Sequence, residues 1–146
     1  MSLEQGLKAF QGIVLNSGTN VDDFDLVPMD PASLPPAEAI GLRIVEGSPE
    51  LALRTVWVSD DRCTAVNIER MGPCKVIGRH FTDVFYLLSG RWTAKPLDPP
   101  GPEYELSAGS FACYAEGQRE ECIVHETFVK FAMYHATRPL PYEVTP

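Results

Sequence analysis

Basic residues are scarce in this chain: 12 Lys and Arg stand against 20 Asp and Glu, giving a net charge of −8 and a pI near 4.8. Binding to nucleic acid draws on clustered cations that meet phosphates, so that class of partner is excluded. No apolar run approaches the roughly 20 residues a membrane-spanning helix requires, and the sequence predicts no membrane partner. The four cysteines, Cys63, Cys74, Cys113 and Cys122, include no Cys-x-x-Cys pair, which removes the zinc-ribbon and thioredoxin-type readings. Nothing at the start reads as a leader, so the expectation is a cytoplasmic protein whose thiols are reduced and serve as small buried hydrophobes. Long helices are also disfavoured, because 13 prolines and 11 glycines are spread over 146 residues.

What is present is a succession of short apolar segments. Leu3 to Asn16 is loosely helical in its spacing but interrupted by Gly6 and Gly12. Asn16 to Asn20 reads as a loop, and Val21 to Pro28 as a short edge strand. Four prolines between Pro28 and Pro36 exclude regular structure there. Residues 1–40 are therefore expected to form an arm that lies along the domain or reaches a partner subunit, with one domain over residues 41–146. From Ile40 onward, strands are predicted at Leu53–Val58, Cys63–Arg70, Cys74–Ile77, Glu103–Leu106, Phe111–Ala115, Glu121–Val124 and Phe128–His135, separated by turn residues. In the middle, Val84–Leu88, Ser89-Gly90 and Arg91–Ala94 read as a hairpin entered at Asp83. His125-Glu126-Thr127 reads as a second turn. This spacing predicts an all-β sandwich or barrel.

The order of these pieces resembles the cupin superfamily, a jelly-roll β-barrel with two signature segments. The first signature has two histidines one residue apart, an acid, six residues and a glycine; Asp83 and Gly90 carry the acid-to-glycine spacing. The second has glycine, proline, glycine and histidine, whose positions are held by Gly109, Ala115, Gly117 and Glu120. The segments Leu-Arg-Thr-Val-Trp-Val-Ser (53–59) and Val-His-Glu-Thr-Phe-Val-Lys-Phe (124–131) are similar to the branch of (S)-ureidoglycine aminohydrolase-like and ethanolamine-utilisation-type proteins. The likeness covers residues 45–136 and implies a single-domain cupin jelly roll with an N-terminal arm, associating as a homodimer.

The resemblance also implies a metal held by two histidines, an acid and a third histidine. Here those positions fall on Ile77 and Arg79 (or Val76 and Gly78), Asp83 and Glu120. Imidazole nitrogens are missing from them, so no metal cofactor is expected; a divalent transition metal on His80, Asp83 and Glu120 is the weaker alternative. Arg79 then either salt-bridges Asp83 or Glu120, or holds a substrate carboxylate. Asp83 and Glu120 form either a general acid/base couple or a polar plug in place of the metal. His80 turns inward if the strand carries a bulge. Phe85 follows Asp83 onto the inner face, and Cys113 reaches the cavity from its own strand. The expected function is metal-independent binding of a small polar, carboxylate-bearing metabolite by Arg79, with His80, Asp83, Glu120, Phe85 and Cys113 around it. An aminohydrolase- or isomerase-type enzyme and a non-catalytic scaffolding subunit are the alternatives.

Overall fold

A computed structural model describes residues 24–33 and 41–146. The helical segment read over Leu3–Asn16 and most of the arm lie outside these residues. Among the described residues nine strands are formed: β1 (Val27–Pro28), β2 (Gly41–Glu46), β3 (Leu51–Val58), β4 (Thr64–Met71), β5 (Cys74–Arg79), β6 (Thr82–Asp98), β7 (Tyr104–Ser107), β8 (Phe111–Tyr114) and β9 (Arg119–His135). All pairings are antiparallel. The all-β class expected from the sequence is what forms, and among the described residues no helix is long and apolar enough to cross a membrane. One short 3-10 turn, Pro31–Ser33, occurs within the proline-rich stretch. Asp30 starts it, its Oδ1 accepting the Ala32 amide at 2.9 Å. Pro28 sits at the sheet's margin in β1, paired with Ala52, a place where a missing N–H is tolerated.

Two strands of 17 residues, β6 and β9, run side by side and carry the architecture. The first half of β6 pairs with β8 and with the second half of β9; its second half pairs with β7 and with the first half of β9. On its other side β9 pairs with β5 through its first half and with β4 through its second. The sheet therefore bends in the middle of β6 and β9. Two segments that the sequence suggested as turns, Ser89-Gly90 and His125–Thr127, are these bends: each chain continues in its own direction through an irregular stretch of the ladder.

The burial pattern records the event at residue resolution. Buried positions on β6 are Asp83, Phe85 and Leu87 before the bend and Trp92 and Ala94 after it, so the inward phase passes from odd to even numbers. An odd number of extra residues does this, and it is the signature of a bulge. Gly90 sits there at φ +87°, and a Cβ on it would collide with Thr127 O and Phe128 Cα. Only glycine satisfies both demands.

The concave face closes over an aromatic core. Trp92 lies between Phe85 (centroids 5.5 Å apart) and Phe128 (4.6 Å). Burying each such ring contributes roughly 1.5–3 kcal/mol relative to exposure. The segment after β9 returns across the fold, held by Leu140 N–H to Arg62 O at 2.8 Å and Thr145 N–H to Thr55 O at 3.0 Å.

Candidate functional site

A cavity of about 350 Å³ opens on the concave face. Its walls are largely apolar, with Leu51, Met71, Val76, Val124 and Phe128 among them, and Tyr142 from the C-terminal segment also borders it. His80, Asp83, Glu69 and Lys130 supply polar and charged groups there. Few polar groups converging on an apolar hollow is the usual make-up of a small-molecule site.

Lys130 is the centre of the first polar group. Along β9 the inward positions are Phe128, Lys130, Ala132 and Tyr134, and all four are buried. Register sets Glu69 of β4 directly opposite Lys130, while β6 brings Asp83 inward two residues before Phe85. The Lys130 ammonium donates to Asp83 Oδ2 at 3.0 Å and lies 3.6 Å from Glu69 Oε2. It also stands 4.8 Å from the Phe85 ring centroid and 5.3 Å from that of Tyr134. Tyr134 donates its hydroxyl proton to Glu69 Oε2 at 2.7 Å. Burial works against the charge on Lys130, but Asp83 and Glu69 outweigh it and hold the ammonium above the ordinary lysine range. Burial raises the Asp83 carboxyl, and Lys130 pulls it partly back.

Glu120 anchors the second group, and none of its surface is exposed. His80 Nε2 stands 3.3 Å from its Oε2. A carboxylate only accepts, so Nε2 carries the proton. Gln118 donates to Oε1 at 3.0 Å, and Tyr104 donates a short hydrogen bond to the same oxygen. The Tyr114 hydroxyl, 2.9 Å from that of Tyr104, donates to it and leaves the Tyr104 proton for Glu120. The His80 ring stacks on Tyr114 at 4.2 Å. Burial alone would raise the Glu120 carboxyl; the hydrogen bonds from His80, Tyr104 and Gln118 overcome it and hold the group below the usual range.

Several expectations are corrected by this arrangement. Arg79 borders the cavity but pairs with neither acid: its Nη1 donates to Gly117 O at 2.7 Å and lies 3.9 Å from Asp98. Alternation explains why, since Cys74, Val76 and Gly78 are the buried positions of β5 and Arg79 follows the other phase. The phase of Cys74, Val76 and Gly78 carries His80 inward without any bulge. Asp83 and Glu120 are both buried, yet each has its own partners and no hydrogen bond joins them. Phe85 lies 1% exposed in the core beneath Lys130 and does not line the cavity. Cys113 does not touch it either; β8 turns this thiol outward.

The residues present do not fit a transition ion. Among the described residues no group of three or more His, Cys, Asp or Glu has a geometry that could hold one. One oxygen of Asp83 is taken by the Lys130 ammonium, and both oxygens of Glu120 accept protein hydrogens. Where the signature would set an acid against a metal, this chain sets it against a lysine.

Lys130, Glu69, Tyr104, Tyr114 and Tyr142 went unread in the sequence. Lys130 had left a signal: a lone cation on the apolar phase of the last strand, between Phe128 and Ala132. The others become neighbours only through long-range register.

No known family model and no curated protein sequence matches the chain. Solved structures do. A protein of unknown function from Pseudomonas syringae pv. tomato superposes with a TM-score of 0.59 at 14% identity, over 74% of this chain and 43% of that one. Ectoine synthase from P. lautus gives 0.52 at 11% identity, over 62% and 65% of the respective chains. A cupin-like protein from Thermotoga maritima gives 0.50 at 14% identity, over 70% and 85%. The chain thus spans less than half of the Pseudomonas protein and just under two thirds of the synthase. At these identities the likeness shows the fold alone, and the fold is similar to that of these cupin-type β-barrels.

Proposed function

We propose that this protein binds a small molecule in the cavity of its cupin barrel, with the Lys130 ammonium as the resident cation in place of a metal. The observation that carries the reading is the cavity itself: about 350 Å³, apolar along most of its wall, with His80, Asp83 and Lys130 reaching it. A purely scaffolding chain has no use for such a hollow, because native interiors close-pack their side chains. The carboxylate clamp expected from Arg79 is not what this reading rests on: its Nη1 donates to Gly117 O and lies 3.9 Å from Asp98, while its buried Nε has no partner.

Gly78 provides the test. It lies on the cavity wall, and a Cβ there would meet Gly41 O at 3.6 Å and Leu42 Cβ at 3.7 Å, ordinary contacts. Gly78→Val should fold and narrow the cavity. In a thermal-shift screen of small amides, alcohols, amines and carboxylates, hits on the wild type should lose their shift in this variant. Hits that shift both proteins equally, or no hit at all, would contradict the reading.

The homodimer is proposed on separate grounds. On the convex face Phe111 is 70% exposed beside Tyr86, its partner in register, and Val84 stands between Cys113 and Met133. A two-fold axis through such a patch would cover it with its own copy. Light scattering should give twice the chain mass, falling to one with Phe111→Glu; a monomeric wild type would refute it.

A further inference from the structure

Among the described residues, three buried polar atoms on cavity-lining residues lack a partner: the acceptor Asp83 Oδ1 and the donors Trp92 Nε1 and Arg79 Nε. Asp83 is 1% exposed; its Oδ2 takes Lys130, but its Oδ1 accepts nothing. Trp92 is 4% exposed, and its indole Nε1–H donates to nothing. Both residues line the cavity. Leaving either atom unsatisfied is unfavourable in a buried setting, and each such orphan calls for an explanation. Building on the proposal that the cavity is a ligand site, we infer that its ligand is a neutral small molecule with a head group that both donates and accepts a hydrogen bond. A carboxamide or a hydroxyl on an apolar body has that chemistry: its N–H or O–H meets Asp83 Oδ1, and its oxygen accepts from Trp92 Nε1.

Charged heads fit less well. A carboxylate can accept from Trp92 but has no proton for Asp83, and it would face both Asp83 and Glu69. The lysine that might offset it is occupied: Lys130 holds Asp83 at 3.0 Å and Glu69 at 3.6 Å, with the Phe85 and Tyr134 rings nearby. Arg79 Nη1 donates to Gly117 O; its Nε has no partner, but the residue follows the strand phase opposite to the buried Cys74, Val76 and Gly78. Arg70 also borders the cavity, but it follows Glu69 on β4 and so belongs to the strand's other face. An ammonium could serve Asp83, yet it would leave the indole unpaired and would share one carboxylate with the ammonium of Lys130. The apolar body would lie against Leu51, Met71, Val76, Val124 and Phe128.

Four probes with one common body separate these cases: hydrocinnamamide, hydrocinnamyl alcohol, hydrocinnamate and phenylpropylamine, titrated calorimetrically into the wild-type protein at neutral pH. The amide and the alcohol should bind at least about tenfold more tightly than the carboxylate and the amine. Trp92→Phe, which keeps the ring and removes the donor, should weaken the amide about three- to tenfold. Should that variant fail to fold, the ranking on the wild type decides by itself. A carboxylate or amine that binds as tightly as the amide, and is lost in Gly78→Val, overturns this inference while the cavity reading stands. Failure of all four probes to bind, or binding that survives Gly78→Val, overturns both.

Discussion

At the scale of single residues, the Asp83–Lys130 pair concentrates the largest energetic stakes. Both groups are buried, and a buried ion pair is costly to break because the survivor keeps its charge without a partner. Lys130→Met should therefore destabilise by about 3–5 kcal/mol in urea unfolding. Adding Asp83→Leu to that variant should restore a good part of the loss; a double variant no more stable than the single one would contradict the pairing. The Lys130 charge favours the fold at every pH below its ordinary value of 10.5, and this contribution is lost as pH rises through the higher folded value. Glu120 acts at the other end of the scale. Its carboxyl is held below the ordinary value of 4.5, so the folded chain binds fewer protons there than the unfolded chain. The stabilisation is complete above that value and is lost as pH falls through it toward the folded one. Glu120→Gln should flatten this acid limb and cost about 1–3 kcal/mol at neutral pH, since it disturbs the acceptor of His80, Tyr104 and Gln118. An unchanged acid limb would contradict the account.

At the scale of elements, the bends of β6 and β9 set which side chains can meet. Gly90→Ala meets both a positive φ and a collision with the neighbouring strand, whereas Gly109, at φ +92°, has nothing within 4 Å of a built Cβ. Gly109→Ala should cost about 1–2 kcal/mol, the ordinary penalty of left-handed backbone, and Gly90→Ala clearly more. Equal costs in denaturant unfolding would show that the close approach at the bend is absent. These elements also show how far the sequence could be read. Alternation puts Asp83 and Phe85 on one inner face, as the burial of both bears out, because period-two patterning is local information. The same local view took Ser89-Gly90 for a hairpin turn, although turn residues also serve bulges, and only the pairing with β9 separates the two. Counting back from Asp83 sets Arg79 inward only by crossing residues 80 and 81, which lie between β5 and β6 and break the strand phase. Counting along β5 itself from Cys74 would have selected His80. The contacts of Glu69 with Lys130, and of Tyr104 with Glu120, join residues 61 and 16 positions apart through sheet register, and no local pattern carries them.

At the scale of the whole molecule, the barrel encloses a cavity, and the positions at which the cupin signatures carry metal ligands hold other residues here. The acid of the first signature is retained as Asp83, and the cation that faces it is supplied by the protein's own last strand. The Glu120 position has an imidazole beside it from His80, just past the end of β5. Net acidity, from which no nucleic-acid partner is expected, says nothing of this interior; the charges inside it are paired only by the fold. The measurement that bears most directly on the central claim is elemental analysis of the full chain, expressed with Fe, Mn, Ni and Zn supplied and purified without chelator. If Lys130 is the cation of the site, each of these metals should be recovered at far less than one ion per chain. One tightly held ion per chain, displaced only by a strong chelator, would contradict it.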